Sequence, residues 1–343
     1  MADESFEVCT WAPDPDADPA TLTFAFGGAA PVAQVRPGTL LRTWTMDCFA
    51  GRVRSADDLP SRVCDPRQLN PQTGPWFVEG ARPGDTLAVH FVSITPREAW
   101  GVSSTVPFFG SLTATPATAM LHPALPERTW VYAIDNAAGV VRYEARDSAF
   151  VAELPLDPMH GTVGVAPALG EVRSSLAPGD WGGNMDTPEM RAGVTCYLPV
   201  NVEGALLCFG DGHARQGEGE TCGVAVECAM DTEAVVDVVP GTPIAWPRLE
   251  SDAFLMTTGS ARPLEDAFRI AHQQMVLWVA ELTGQSELDA YQLVSQVALT
   301  PVANVVDTNY TVVAKVPKAV LGGATAMGGA HDRLRARAAA WRD

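Results

Sequence analysis

The sequence predicts a mainly β protein with an α/β section towards its C-terminal end. Short apolar runs broken by Gly, Pro, Asp and Asn recur from about residue 20 to residue 250. The first helical apolar stripe appears only after residue 260, and a second stripe follows it before one last strand-like run.

The strand-like runs are LTFAF, TLAVHFVSI, TWVYAI, GVVRYEA, GVTCYLPV, GALLCFG and GVAVECAM. Repeated short strands with turn punctuation predict a sandwich or a barrel. In TLAVHFVSI one face carries Leu87, Val89 and Phe91 before Ser93 interrupts it, and the other carries Ala88, His90, Val92 and Ile94. Two largely apolar faces predict a strand covered on both sides. The segment ARPLEDAFRIAHQQMVLWVAELTG then places Leu264, Ala267, Phe268, Ala271, Met275, Trp278, Val279 and Leu282 on one helical stripe. It is started near Pro263 and stopped by Gly284. A purely β protein would leave that stripe without a partner. A second helix is expected in SELDAYQLVSQVAL, with Ser286 as N-cap and Asp289 three residues on. A final strand is expected over 310–316, and the Gly-, Ala- and Arg-rich stretch from Gly322 reads as a tail or exposed helix. The expected organisation is a β-sandwich-like body (1–250), an α/β section packed on it (251–320) and that tail (321–343), in one compact unit. No internal repeat is visible.

With 343 residues, 47% of them hydrophobic, the chain can bury a large core. A formal charge of −18 argues against nucleic acid or an anionic membrane as partner. The N-terminal stretch MADESFEVCTWAPDPDADPA has acids where a secretory signal needs a basic start, and no apolar run approaches the roughly 18 residues of a membrane span. A cytoplasmic location is therefore expected. The seven cysteines form no CxxC pair and read as buried reduced thiols; Cys222 stands apart because it adjoins the strongest motif. Only Lys315 and Lys318 are lysines, and neither lies in a motif around a nucleophile. With no G-x-S-x-G elbow either, covalent catalysis is the weaker route.

The strongest motif is GDGHARQGEGE (210–220). Its four glycines let a loop fold tightly and bring backbone close to a ligand. Asp211, His213, Glu218 and Glu220 offer oxygen donors and one imidazole, a mixture that suits a divalent ion. The plainer reading is a solvated acidic hairpin loop. A second irregular loop, PGDWGGNMD (178–186), ends on Asp186, which by itself reads as an N-cap or Asx-turn residue.

Four runs together are more specific: NPQTGPWFVEGARPGDTLAV (70–89), HGTVGVAPA (160–168), GGNMDTPEMRAGVTCYLPV (182–200) and GDGHARQGEGETCGVAVE (210–227). In order and spacing they resemble the signature segments of the acetamidase/formamidase family, and the likeness extends over roughly residues 30–318. The resemblance implies a jelly-roll-like β-sandwich body and a homo-oligomer. It also implies hydrolysis of short linear amides to carboxylate and ammonia with a divalent metal such as zinc. His213, Gln216, Glu220 and Cys222 fall on the motif, as do Asn184, Asp186 and Asp47 of the MDCF segment. Two departures stand out. Glu218 replaces the family's usual Asp, and His160 occupies a place often filled by an apolar residue; it is expected to pack or hydrogen-bond locally.

On this footing Asp47, Asp186 and His213 are expected to hold the metal, with Glu218 as a further ligand or an orienting group. Glu220 is expected to act as general base, and Gln216, Asn184 and glycine N–H groups to hold the oxyanion. Two rival readings remain. A cysteine amidase would use Cys222, and a non-catalytic sandwich would bind a small ligand or carbohydrate through Trp76, Trp100 or Trp181.

Overall fold

The structure is a computed structural model that describes residues 7–14, 21–113 and 124–342. The acidic stretches 1–6 and 15–20 of the N-terminal reading lie outside them. The fold is mostly β-strand, with its long helices at the C-terminal end.

Two large sheets carry most of the described strands, and Ala25–Phe26 pairs with Arg173–Ser174 apart from them. The first runs in the order Val8–Cys9, Leu40–Thr45, Met230–Val239, Thr86–Pro96, Thr195–Pro199, Arg248–Glu250, Phe254–Ala261, Tyr310–Pro317 and Val302–Asn304. The second runs Val151–Pro155, Val140–Glu144, Arg128–Asp135, Trp100–Thr105, Val226–Glu227, Leu207–Arg215, Met159–Gly164 and Gly182–Asn184. Gln72–Val78 pairs with Leu207–Arg215 in this second sheet, and Ala33–Val35 joins it beyond.

Period-2 alternation explains how the first sheet is buried twice. Leu87, Val89 and Phe91 enter a core shared with Trp76, Val163 and Phe209 of the second sheet. Ala88 and Val92 enter another, with Ala271, Met275 and Trp278 of the helix Leu264–Thr283. The two-faced strand of the sequence is thus the layer between two cores.

The helix Leu264–Thr283 starts after Pro263 and ends at Gly284, whose φ of 69° few other residues adopt cheaply. Burial of Met275 and Val279 contributes about 1.5–3 kcal/mol each, and Trp278→Ala would cost about 3–5 kcal/mol. Phe268, at the edge of the stripe, is exposed. The helix Glu287–Val297 follows, with the Ser286 hydroxyl accepting from the Asp289 N–H at 3.1 Å. The stretch from Gly322 departs from expectation. It ends in a packed helix, Ala330–Arg342, that buries Ala330, His331, Leu334 and Ala338. No helix among the described residues is long and apolar enough to cross a membrane.

Candidate active site

Strand register assembles the centre of the site. The strand Leu207–Arg215 continues through GDGHAR, so half of the expected loop is strand. His213 lies directly opposite Glu227 on Val226–Glu227 and opposite Met159 on the other side. Facing residues on adjacent antiparallel strands bring their side chains together. Gly161, between His160 and Thr162, leaves the space over this sheet open. A Cβ there would lie 2.3 Å from Asp186 Oδ1, 2.6 Å from Asp211 Oδ2 and 2.9 Å from His213 Cε1.

His213 is fully buried and holds three contacts. Its Nδ1–H donates to Gln216 Oε1 at 2.9 Å, while Nε2 lies 3.4 Å from Asp211 Oδ1 and 3.3 Å from Glu227 Oε2. The Gln216 amide donates in turn to the backbone carbonyls of Asp186 (2.5 Å) and Ala303 (3.0 Å). Two further amides clamp a carboxylate pair. Asn184 Nδ2 donates to Asp186 Oδ2 (2.8 Å) and Asp307 Oδ2 (2.7 Å), and Asn304 Nδ2 to the same two oxygens at 2.6 and 2.5 Å. Asn70 Nδ2 donates to Asn184 Oδ1 at 2.8 Å, and Thr162 Oγ1 donates to Asp211 Oδ2 at 3.1 Å. The 302–309 segment reaches the cluster because Gly219 bonds to both Ala303 and Val305.

Donor atoms of Asp186, His213 and Glu220 lie within 4.8 Å of one another, as do those of Cys48, Asp211 and Glu227. Asp186 Oδ1 and Glu227 Oε2 are buried without a hydrogen-bond partner among the described residues. Such atoms are costly unless something else satisfies them. Asp211, Glu220, Glu227 and Asp307 of the cluster form the floor of a cavity of about 490 Å3, and no lysine or arginine is among its described lining residues.

The electrostatics follow from burying five carboxylates together. Burial, then Glu220 and Asp307, pushes Asp186 well above the usual carboxylate range. Burial also pushes Glu220 well up, Glu227 to about 7 and Asp307 to about 6. Asp211 goes the other way: burial opposes its charge, but His213 beside it outweighs that. His213 is raised because Glu227 and Asp211 overcome its burial. Anions crowded in low dielectric call for a proton or a cation.

The expected site residues divide. Asp186, His213, Glu220, Gln216 and Asn184 come together, but both amides have their polar ends engaged, so neither presents a free donor for an oxyanion. Asp47 stays out of the cluster. Its Oδ1 accepts from the backbone N–H groups of Phe49 (2.8 Å) and Gly51 (3.1 Å), an Asx turn that holds its own segment. The neighbouring Cys48 reaches the site instead. Glu218 is exposed, beyond the turn that buries Glu220. Cys222 is exposed too, with its thiol donating to the Val224 carbonyl at 3.0 Å. Trp76, Trp100 and Trp181 do not line the cavity, and Trp76 stacks on Phe209 in the core. His160 is a packing residue, bonded to the Gly210 carbonyl (3.0 Å) and Thr232 Oγ1 (2.8 Å) and held down at about 4 by burial.

Glu227, Asp307, Asn304, Asn70 and Gly161 escaped the sequence reading. Glu227 looks like an ordinary strand residue until its partner is known. Asn304 and Asp307 did leave a signal, an N-x-x-D spacing in which Asn304 Oδ1 accepts from the Val306 and Asp307 N–H groups.

The model of the Acetamidase/Formamidase family matches residues 28–169 and 102–322, two overlapping stretches that take in most of the chain. This chain belongs to that family. It is 28% identical over 265 residues to an acetamidase of Mycolicibacterium smegmatis, covering 61% of this chain and 63% of that protein. It thus spans less than two thirds of that curated relative. Among solved structures, an acetamidase from Yersinia enterocolitica superposes with a TM-score of 0.87 at 37% identity, over 94% of this chain and 95% of that one. A predicted acetamidase/formamidase from Thermoanaerobacter tengcongensis gives 0.81 at 31% identity, over 93% and 99%. The residues of the cluster, including the 302–309 segment, fall within the stretches that the family model matches.

Proposed function

We propose that this chain hydrolyses the C–N bond of a linear carboxamide to a carboxylate and ammonia. The observation that carries this is the buried cluster of five carboxylates around His213 at the foot of a cavity, two of its oxygens left without partners. Membership of a family with acetamidase relatives supports the same reaction.

A divalent cation fits the cluster. Nitrogen and oxygen ligands on a tetrahedral zinc ion, with bonds of about 2.0–2.1 Å, stand about 3.4 Å apart. His213 Nε2 stands 3.4 and 3.3 Å from its two carboxylate neighbours. His213, Asp211 and Glu227 would therefore hold the ion, with the unpartnered Asp186 Oδ1 as a further donor. When bound, such an ion supplies an acidified water and polarises the amide carbonyl.

The chain's own residues supply the rest. Gln216 fixes the His213 tautomer, so that Nε2 faces the cluster. Asn184 and Asn304 hold Asp186 and Asp307 in one orientation. Glu220, buried and facing the cavity, takes a proton from water and returns it to the leaving nitrogen as the C–N bond breaks. Two sheets around one core support a jelly-roll-like body, and a cytoplasmic homo-oligomer completes the proposal.

The test combines metal analysis of the purified protein with hydrolysis of acetamide and formamide, with and without chelator. The expected outcome is a stoichiometric divalent metal, chelator-sensitive ammonia release, and loss of both in His213→Ala. Full activity after chelation, with metal content unchanged in His213→Ala, would overturn the reading.

A further inference from the structure

We infer, taking the amide-hydrolysing reading as given, that the substrate carries a neutral, apolar acyl group larger than acetyl. Its size is about six or more non-hydrogen atoms, as suits a pocket of several hundred Å3. The cavity holds about 490 Å3, far more than the three or so atoms of formamide or four of acetamide would fill.

Its walls are layered. The floor is polar and buried: Asn70, Asn184, Asp211, Glu220, Glu227 and Asp307. Above it stands a collar of Phe49, Leu69, Val106, Phe109 and Val224, with Pro66 and Leu176 exposed at the rim. The five collar residues come from four separate parts of the chain: the MDCF segment, the turn after Pro66–Gln68, the stretch following Trp100–Thr105, and the 223–224 turn. None has a part in the proton transfers. A small amide would touch the floor and leave the collar facing water, whereas an apolar acyl chain would cover it.

Charge narrows the class further. No lysine or arginine is among the described residues that line the cavity, so a carboxylate on the acyl group would find no cationic side chain to pair with in the collar. A cationic acyl group would strand its charge in the apolar collar. An unbranched aliphatic chain or an aryl ring satisfies both constraints, with the carboxamide head on the carboxylates and the tail towards the rim.

The experiment is a kcat/KM series on the metal-replete protein with acetamide, butanamide, hexanamide, benzamide and the anionic succinamate. The rise expected is about fourfold per methylene, the worth of one buried CH2, or on the order of 100-fold from acetamide to hexanamide. Benzamide should fall with hexanamide, and succinamate below butanamide. Val106→Trp, which fills the collar, should reduce the slope to less than about twofold per methylene; Phe109→Ala, which opens it, should lower the hexanamide-to-acetamide ratio at least threefold. A flat or falling series from acetamide to hexanamide in the unmodified protein overturns this inference and leaves amide hydrolysis standing. No turnover of any of the five by metal-loaded protein overturns both.

Discussion

Two buried histidine clusters in this molecule use the same residue types and come to opposite ends. In one, His90 Nδ1 meets Thr195 Oγ1 at 2.9 Å, and that hydroxyl meets His331 Nδ1 at 2.9 Å. His331 Nε2–H then donates to Asp252 Oδ1 at 3.1 Å. The network ties the C-terminal helix to the sheet, and none of its side-chain atoms is both buried and unpaired. Its single carboxylate, Asp252, is exposed. The other cluster gathers five buried carboxylates around His213, two of them in contact with it, leaves two oxygens unpartnered and opens on a cavity. Buried polarity alone does not distinguish them. What does is surplus: unmet bonding capacity beside space for something to meet it.

The comparison can be broken most sharply at Gly161. Gly161→Ala would drive a methyl group against Asp186 and Asp211, and a displacement of about 1 Å there is expected to cost on the order of 10²-fold in kcat. Near-normal turnover in a folded Gly161→Ala protein would show that the convergence of these oxygens is incidental. Gln216→Ala is the intermediate case. With the Nδ1 partner of His213 gone, metal affinity is expected to drop by about 10-fold or more, read by competition with a chromophoric chelator. Thr195→Val gives the smallest effect on activity and the cleanest contrast. Stability should fall by about 1–3 kcal/mol in urea unfolding, since two ring nitrogens lose their partner, while kcat/KM stays unchanged. A drop in kcat/KM without loss of stability would mean that the saturated network takes part in the reaction.

Periodicity carried most of the fold. The stripe from Leu264 to Leu282 and the two-faced strand around Val89 are long, strongly apolar patterns, and both stand in the structure, except that Phe268 is exposed and Ile94 enters the core of Leu87, Val89 and Phe91 and not that of Ala88 and Val92. The last helix was obscured because it buries small residues, Ala330 and Ala338, with Leu334 as its only large aliphatic anchor among them. The strand half of GDGHARQGEGE was hidden by its glycines. They read as loop, yet Gly212 is there because a Cβ would sit 2.2 Å from Met230 Cγ.

For the site, the glycine-rich motif was enough to single out His213 and Glu220, whereas Asp186 became a candidate only through the family resemblance of the GGNMD run. Asp47 and Glu218 show the limit of that reasoning. An acid in the right motif can spend its oxygens on its own turn, as Asp47 does, or lie one residue outside the buried face, as Glu218 does. Glu227 needed the strand register, and Asp307 needed a contact between segments more than 80 residues apart along the chain.

Asn304 and Asp307 reach the cluster from the hairpin that leads into Tyr310–Pro317, late in the chain. A polypeptide cut short by premature termination or by a protease before that hairpin would keep His213 and its strand partners but lose Asp307 and one of the two amides that clamp Asp186. Such fragments are expected to be inert, because the cluster is complete only once the hairpin that carries Asn304 and Asp307 has been synthesised.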